Sequence, residues 1–244
     1  MPTLADDVIL LLIVAYPVWE HFVSWPRAKA RLEAGEPGAR WKLYRAAIAT
    51  QWIATAVIVA LWLYLHRSTA ALYLQLPTGG ALPASAGFVL AVALLMGAQA
   101  VSAARLTPEQ RVAMRPKLGY ATIILPRTTT EFRWFLPLAT TAGICEELIY
   151  RGYLTWLLAS YIGLPLGAAV SVAIFGITHA YLGKQGVIRA TVVGVIFAAV
   201  VIFVRSLYPA MLVHAIVDLG SGMLGYAVLH EVTPEVVGRA QRSS

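Results

Sequence analysis

Hydrophobic residues in this sequence form long continuous blocks instead of alternating with polar residues. The clearest blocks cover residues 8–25, 46–65 and 81–104. A helix needs about 20 apolar residues to cross the hydrocarbon layer of a bilayer. Only helices and closed barrels satisfy their backbone hydrogen bonds there, and barrel strands would show alternation. The pattern therefore predicts an all-α fold of membrane-spanning helices.

Further apolar stretches follow in the second half of the chain, and several of them are shorter than a full span. They cover residues 132–150, 153–164, 165–180, 186–204 and 208–229. Gly163 and Pro165 separate two of these stretches, because both residues interrupt helices. The sequence thus predicts a polytopic transmembrane bundle of seven or eight helices.

The segment between residues 105 and 131 is rich in helix-breaking residues and indicates a boundary. It contains Pro108, Pro116, Gly119 and Pro126. We expect residues 1–130 to form N-terminal transmembrane helices with basic cytoplasmic loops. Residues 131–244 are expected to form a C-terminal helical core that carries the catalytic site.

Composition and charge agree with a membrane protein. The chain is 59% hydrophobic and 13% charged, with a mean hydropathy of +0.71, which leaves too little polar surface for a water-soluble protein. Its net charge is +7, yet the basic residues lie in short loops and not on a polar module that would bind nucleic acid. Residues 26–42 and 105–131 are basic, whereas 66–80 hold only Arg67. We therefore predict that the two basic loops are cytoplasmic and that the N-terminus and the Arg67 loop are external.

Ionisable residues within the apolar stretches of the C-terminal half suggest a functional site. Each costs about 2.5–3.5 kcal/mol at mid-helix, so each needs a partner or a role. The group consists of Glu146, Glu147, Arg151, His179, His214 and Asp218. Glu147 and Arg151 are four residues apart and are expected to form a structural ion pair. Glu146 points about 100° away and has no partner on its helix, so it is a candidate general base.

Three functional classes fit these buried groups. The first is an enzyme that uses Glu146 and the two histidines. The second is a transporter or proton relay, which would be expected to have broken helices and an inverted repeat. The third is a non-catalytic scaffold or immunity protein, in which His214 and Asp218, four residues apart, only orient two helices.

Three short motifs occur in order within these stretches. EExxxR begins at Glu146 and ends at Arg151, FxxxH runs from Phe175 to His179, and HxxxN/D runs from His214 to Asp218. Over residues 130–220 the sequence resembles the CPBP family of intramembrane proteases, which comprises type II CAAX prenyl endopeptidases and bacteriocin-processing or Abi proteins. This chain has an aspartate at the last motif position, where some members have asparagine.

The resemblance implies hydrolysis of a peptide bond by an activated water molecule. Glu146 would be the base, His179 would assist it, and His214 with Asp218 would stabilise the oxyanion. The same resemblance makes Glu147, Arg151 and Phe175 supporting residues.

The resemblance leaves two forms of the site open, with no cofactor or with one zinc ion. If zinc binds, its ligands would be Glu146, His179 and His214. The single cysteine, Cys145, excludes a Cys-rich zinc site. Because the sequence has no HExxH motif, we favour catalysis without a metal.

The expected partners are the lipid bilayer and a membrane-associated peptide or protein substrate. The Ala- and Arg-rich composition indicates a prokaryotic protein of the inner membrane.

Overall fold

The structure is a computed structural model that describes residues 1–230. Within this range it has eight helices and no strand. The helices are α1 (Leu4–Glu33), α2 (Ala39–Tyr64), α3 (Ala81–Ala104), α4 (Pro108–Met114), α5 (from Thr129 to Ile162), α6 (Leu164–Thr178), α7 (Gly183–Val204) and α8 (Tyr208–Leu229). The predicted all-α bundle of seven or eight helices is confirmed.

Five helices of the described chain are long and apolar enough to cross a membrane. They are α1, α2, α3, α7 together with the short turn before it, and α8, and the shorter α6 is also apolar. Leucine and valine side chains on the outer faces of α1 and α3 are largely exposed, as expected for surfaces that face lipid.

Helix α5 joins two apolar stretches that the sequence pattern separated near residue 151. It consists of an α-helical part Thr129–Glu146, a π-helical part Glu147–Leu154 and an α-helical part Thr155–Ile162. The wider π-helical turn accommodates extra residues without breaking the helix. The helix ends before Gly163, whose φ of 79° is a conformation that glycine adopts readily. The predicted break at Gly163 and Pro165 is therefore correct.

The π-helical part of α5 is fully buried and carries most of the first motif. A π-helical turn changes the usual pattern of backbone hydrogen bonds, so carbonyl groups there need other donors. The carbonyl oxygen of Tyr150 accepts hydrogen bonds from Ser171 Oγ at 2.6 Å and Thr155 Oγ1 at 2.8 Å. These two hydroxyl groups help hold the irregular turn.

One end of the bundle brings the N-terminus together with the Arg67 loop. Both carboxylate oxygens of the buried Asp6 accept hydrogen bonds from Arg67, at 2.6 and 2.8 Å. Tyr153 Oη donates to the same carboxylate at 2.9 Å. This places the start of α1 and the loop after α2 on the same side, as the charge pattern predicted.

The opposite end holds both basic loops. Arg40 Nε donates to the carbonyl oxygen of Ile123 at 3.1 Å, which joins the first basic loop to the second. The C-terminal end of α8 lies at this end too, because Arg115 Nε donates to Val228 O at 3.4 Å. The end of α8 is thus on the side predicted to be cytoplasmic.

Helices α5 and α8 approach each other closely at Gly143. A Cβ atom on this glycine would lie 2.7 Å from Met211 O and 2.8 Å from both the backbone nitrogen and Cβ of Ala215. The two backbones can touch only because residue 143 has no side chain. This contact brings the first motif on α5 opposite the third motif on α8.

The proposed boundary near residue 130 stays a prediction. Residues 231–244 of the expected C-terminal core lie outside the described residues. Residues of α2 pack against α5 and the π-helical turn, so the two parts share a core.

Candidate active site

Three of the four predicted catalytic residues converge in the interior of the bundle. His214 Nε2 lies 3.9 Å from Glu146 Oε2 and 3.7 Å from Asp218 Oδ2. Glu146 is on α5, whereas His214 and Asp218 project from successive turns of α8. Both distances are too long for a direct hydrogen bond, but a reacting group between these atoms would be close to all three side chains.

His214 is oriented by Glu147. Its Nδ1 atom lies 2.8 Å from Glu147 Oε1. A carboxylate only accepts hydrogen bonds, so we assign the proton to Nδ1, and Nε2 faces Glu146 and Asp218. Glu147 therefore does more than pair with Arg151, because it also fixes the direction of the His214 ring.

Arg151 is 2% exposed and lies beside Glu147, with its Nη1 atom 3.2 Å from Glu147 Oε1. The guanidinium carbon is 3.9 Å from the centre of the Phe175 ring and 5.8 Å from that of Phe197. These are cation–π contacts, which stabilise a desolvated guanidinium. Phe175 thus supports the ion pair directly.

His179 takes a different place from the other predicted catalytic residues. It follows the last turn of α6, and its Nδ1 donates to the carbonyl oxygen of Phe175 at 3.0 Å. The rings of His179 and His214 lie 4.7 and 6.3 Å from the Phe175 ring, measured between centres. No carboxylate of residues 1–230 lies within salt-bridge distance of His179. The structure therefore brings His179 to the edge of the group and not into contact with Glu146.

Two residues near the site were missed by the sequence analysis. Gln51 of α2 donates a hydrogen bond from Nε2 to Glu146 Oε1 at 3.0 Å. Tyr181 stacks on His179 with ring centres 5.9 Å apart, and its other neighbour is Trp25 of α1 at 5.3 Å. The sequence could have pointed to Gln51, since it is a polar residue inside an apolar span. It could not have pointed to Tyr181, because aromatic residues are common in such segments.

Several polar atoms at the centre have no hydrogen-bond partner in the described part of the chain. They include Glu146 Oε2 and Glu147 Oε2, together with the three guanidinium nitrogens of Arg151. Glu146 therefore has one carboxylate oxygen engaged by Gln51 and one that remains available to accept a proton. Such an oxygen, near an imidazole nitrogen, is what general-base catalysis requires.

The candidate zinc ligands do not form a metal-binding group in this arrangement. Within residues 1–230 no three His, Cys, Asp or Glu side chains are grouped so that they could hold a metal ion. Both histidines do donate from Nδ1 to oxygen acceptors, an arrangement that also occurs in metal sites. However, His179 is set apart from Glu146 and His214, so we derive no step through a metal.

The family comparison agrees with the position of the three motifs. Residues 128–220 match the family model described as type II CAAX prenyl endopeptidase Rce1-like. The match includes Glu146, His179, His214 and Asp218, whereas α1 to α4 lie outside it. No curated protein and no solved structure matches the chain.

The family is one of CAAX-type intramembrane proteases, and the candidate spans fit an integral membrane protein. The resemblance recognised from the motifs is confirmed at the level of the family.

Proposed function

We propose that this protein is an intramembrane endopeptidase that hydrolyses a peptide bond in a membrane-associated peptide or protein, with Glu146 as the general base. The observation that carries this proposal is the approach of His214 Nε2 to Glu146 Oε2, at 3.9 Å, beside Asp218. A free carboxylate oxygen and an imidazole nitrogen then face the same small space, as water activation requires.

In the proposed reaction, Glu146 Oε2 takes a proton from a water molecule and the hydroxide oxygen adds to the peptide carbonyl carbon. His214, when protonated on both ring nitrogens, donates from Nε2 to the oxyanion, while Glu147 holds Nδ1. The proton on Glu146 then passes to the leaving amine as the C–N bond breaks. His179 assists from the edge of the site, and Asp218, whose Oδ2 lies 3.7 Å from His214 Nε2, helps Glu147 to orient the His214 ring.

The substrate class follows from the membrane location of the site and from the family description. Family members described as CAAX prenyl endopeptidases act on prenylated proteins, and this activity is one candidate. The composition suggests a prokaryotic inner-membrane protein, for which an unprenylated membrane peptide is the better candidate. We therefore propose a membrane-inserted peptide without a prenyl group as the substrate.

The test uses the full chain in lipid vesicles and fluorescence-quenched reporter peptides that span the membrane, with and without a C-terminal prenyl cysteine. We expect Glu146→Gln to lose cleavage by about 100-fold or more, because the glutamine amide cannot accept the proton. Glu33→Gln, which changes an exposed carboxylate on α1, is the matched control and should cleave like the wild type. Equal rates for Glu146→Gln and the wild type would rule out the proposed base.

The reporters also test the substrate class. Preferential cleavage of the prenylated reporter would overturn the proposed substrate but leave the peptidase reaction intact.

A further inference from the structure

Gln51 contacts the candidate base from outside the region that matches the family model. Its side-chain amide donates to Glu146 Oε1 at 3.0 Å, and its own Oε1 atom is buried and accepts no hydrogen bond in the described chain. Gln51 lies on α2, whereas the family match starts at residue 128. Within the described residues, the one side-chain hydrogen bond of Gln51 is thus directed at Glu146.

The chemistry of an amide suits this position. An NH₂ group can only donate, so it engages one oxygen of the carboxylate and sets the rotation of the whole group. Because glutamine is uncharged, it orients Glu146 without forming the ion pair that Arg151 forms with Glu147. The second oxygen, Oε2, then points towards His214 and keeps its capacity to accept a proton.

We propose that Gln51 is a positioning residue for Glu146. It holds Oε1 so that Oε2 faces the reacting water and the His214 ring. This inference rests on the proposed function of Glu146. It assigns α2, and therefore the N-terminal half of the chain, a direct part in building the active site.

A purely structural role for Gln51 would be to tie α2 to α5. The next residue provides the matched control, because Trp52 Nε1 donates to Thr141 Oγ1 at 3.1 Å and ties the same two helices. Trp52→Phe removes that hydrogen bond and keeps an aromatic side chain. It does not involve Glu146.

The first experiment compares Gln51→Leu with Trp52→Phe in the full chain, using the cleavable reporter peptide. We expect Gln51→Leu to lower kcat by about 10- to 100-fold with little change in KM, since the base is misplaced but the substrate still binds. Trp52→Phe should leave kcat within about twofold of the wild type. Similar losses in both variants would show that Gln51 only tethers the helices, which would overturn the proposal.

The pH dependence of cleavage by Gln51→Glu provides a second test. A purely structural role for Gln51 would not change this dependence. Glutamic acid has nearly the shape of glutamine, but it can donate a hydrogen bond only while protonated. We therefore expect its rate, relative to the wild type, to fall as the pH rises. For Gln51→Leu the relative rate should not show this fall. A constant ratio of Gln51→Glu to wild type across the pH range would contradict the proposal.

A measurement without substrate separates this inference from the proposed function. We expect the free energies of unfolding of Gln51→Leu, Glu146→Leu and the double variant to be non-additive, because the residues are in contact. Additive effects would reject the contact itself. A different result would reject only the proposed base. In that case the unfolding free energies are non-additive and Gln51→Leu cleaves poorly, but Glu146→Gln cleaves normally.

Discussion

Gly143→Ala should separate α5 from α8 and thereby disrupt the active site from a position that touches no substrate. The added Cβ would lie 2.7 Å from Met211 O and 2.8 Å from Ala215 N. Ordinary van der Waals contacts begin near 3.4 Å, so the helices must move apart by roughly 0.6 to 0.7 Å. The obstacle is backbone, which cannot rotate away as a flexible side chain would.

The movement has two measurable consequences. Overpacking of this kind costs about 1–3 kcal/mol of stability. In addition, the contact between His214 Nδ1 and Glu147 Oε1, now 2.8 Å, would lengthen beyond hydrogen-bond range if the separation is fully transmitted. A displacement of about 1 Å at a catalytic group lowers rates by about 100-fold. We therefore expect both a lower unfolding temperature and a strongly reduced kcat.

The assay combines thermal unfolding in detergent with cleavage of the reporter peptide by the folded fraction. Gly97→Ala on α3 is the matched control, because a Cβ atom there would meet nothing within 4 Å. That variant should be as stable as the wild type or more stable, since alanine favours helix by about 1 kcal/mol over glycine. Wild-type stability and activity of Gly143→Ala would refute the argument that this close approach builds the site.

Two further predictions concern the charges of the site and the metal. Glu147→Gln leaves Arg151 buried without its counter-ion, which lowers the free energy of unfolding by about 3–5 kcal/mol. We therefore expect less protein to accumulate, as measured by immunoblot. The molecules that fold should retain part of their activity per molecule, because a glutamine oxygen can still accept from His214; complete inactivity at normal abundance would contradict this. We also expect purified protein to contain less than one equivalent of zinc and to cleave the reporter at the same rate with a chelator. Stoichiometric zinc with chelator-sensitive, zinc-restored cleavage would make His179 and His214 candidate ligands instead.

The sequence alone determined the fold class and the chemistry available to this protein. Apolar blocks longer than about 20 residues predict membrane helices because a bilayer leaves no other way to satisfy the backbone. The three motifs carry the resemblance to the family, and each places ionisable residues in an apolar setting, where their cost requires a reason. These are local properties, since they depend on residues that are neighbours in the chain.

Only the tertiary structure decided which of these groups meet. Gln51 and Glu146 are 95 residues apart in sequence, and their contact exists only because α2 packs against α5. Glu147 was expected to pair with Arg151, yet it also holds His214, which requires the close approach of α8 at Gly143. His179, which belongs to the same motif set, lies at the edge of the group, on the Phe175 ring that also lies beside His214. Helix packing and side-chain volume decide these distances, and neither can be read from the spacing of residues along one helix.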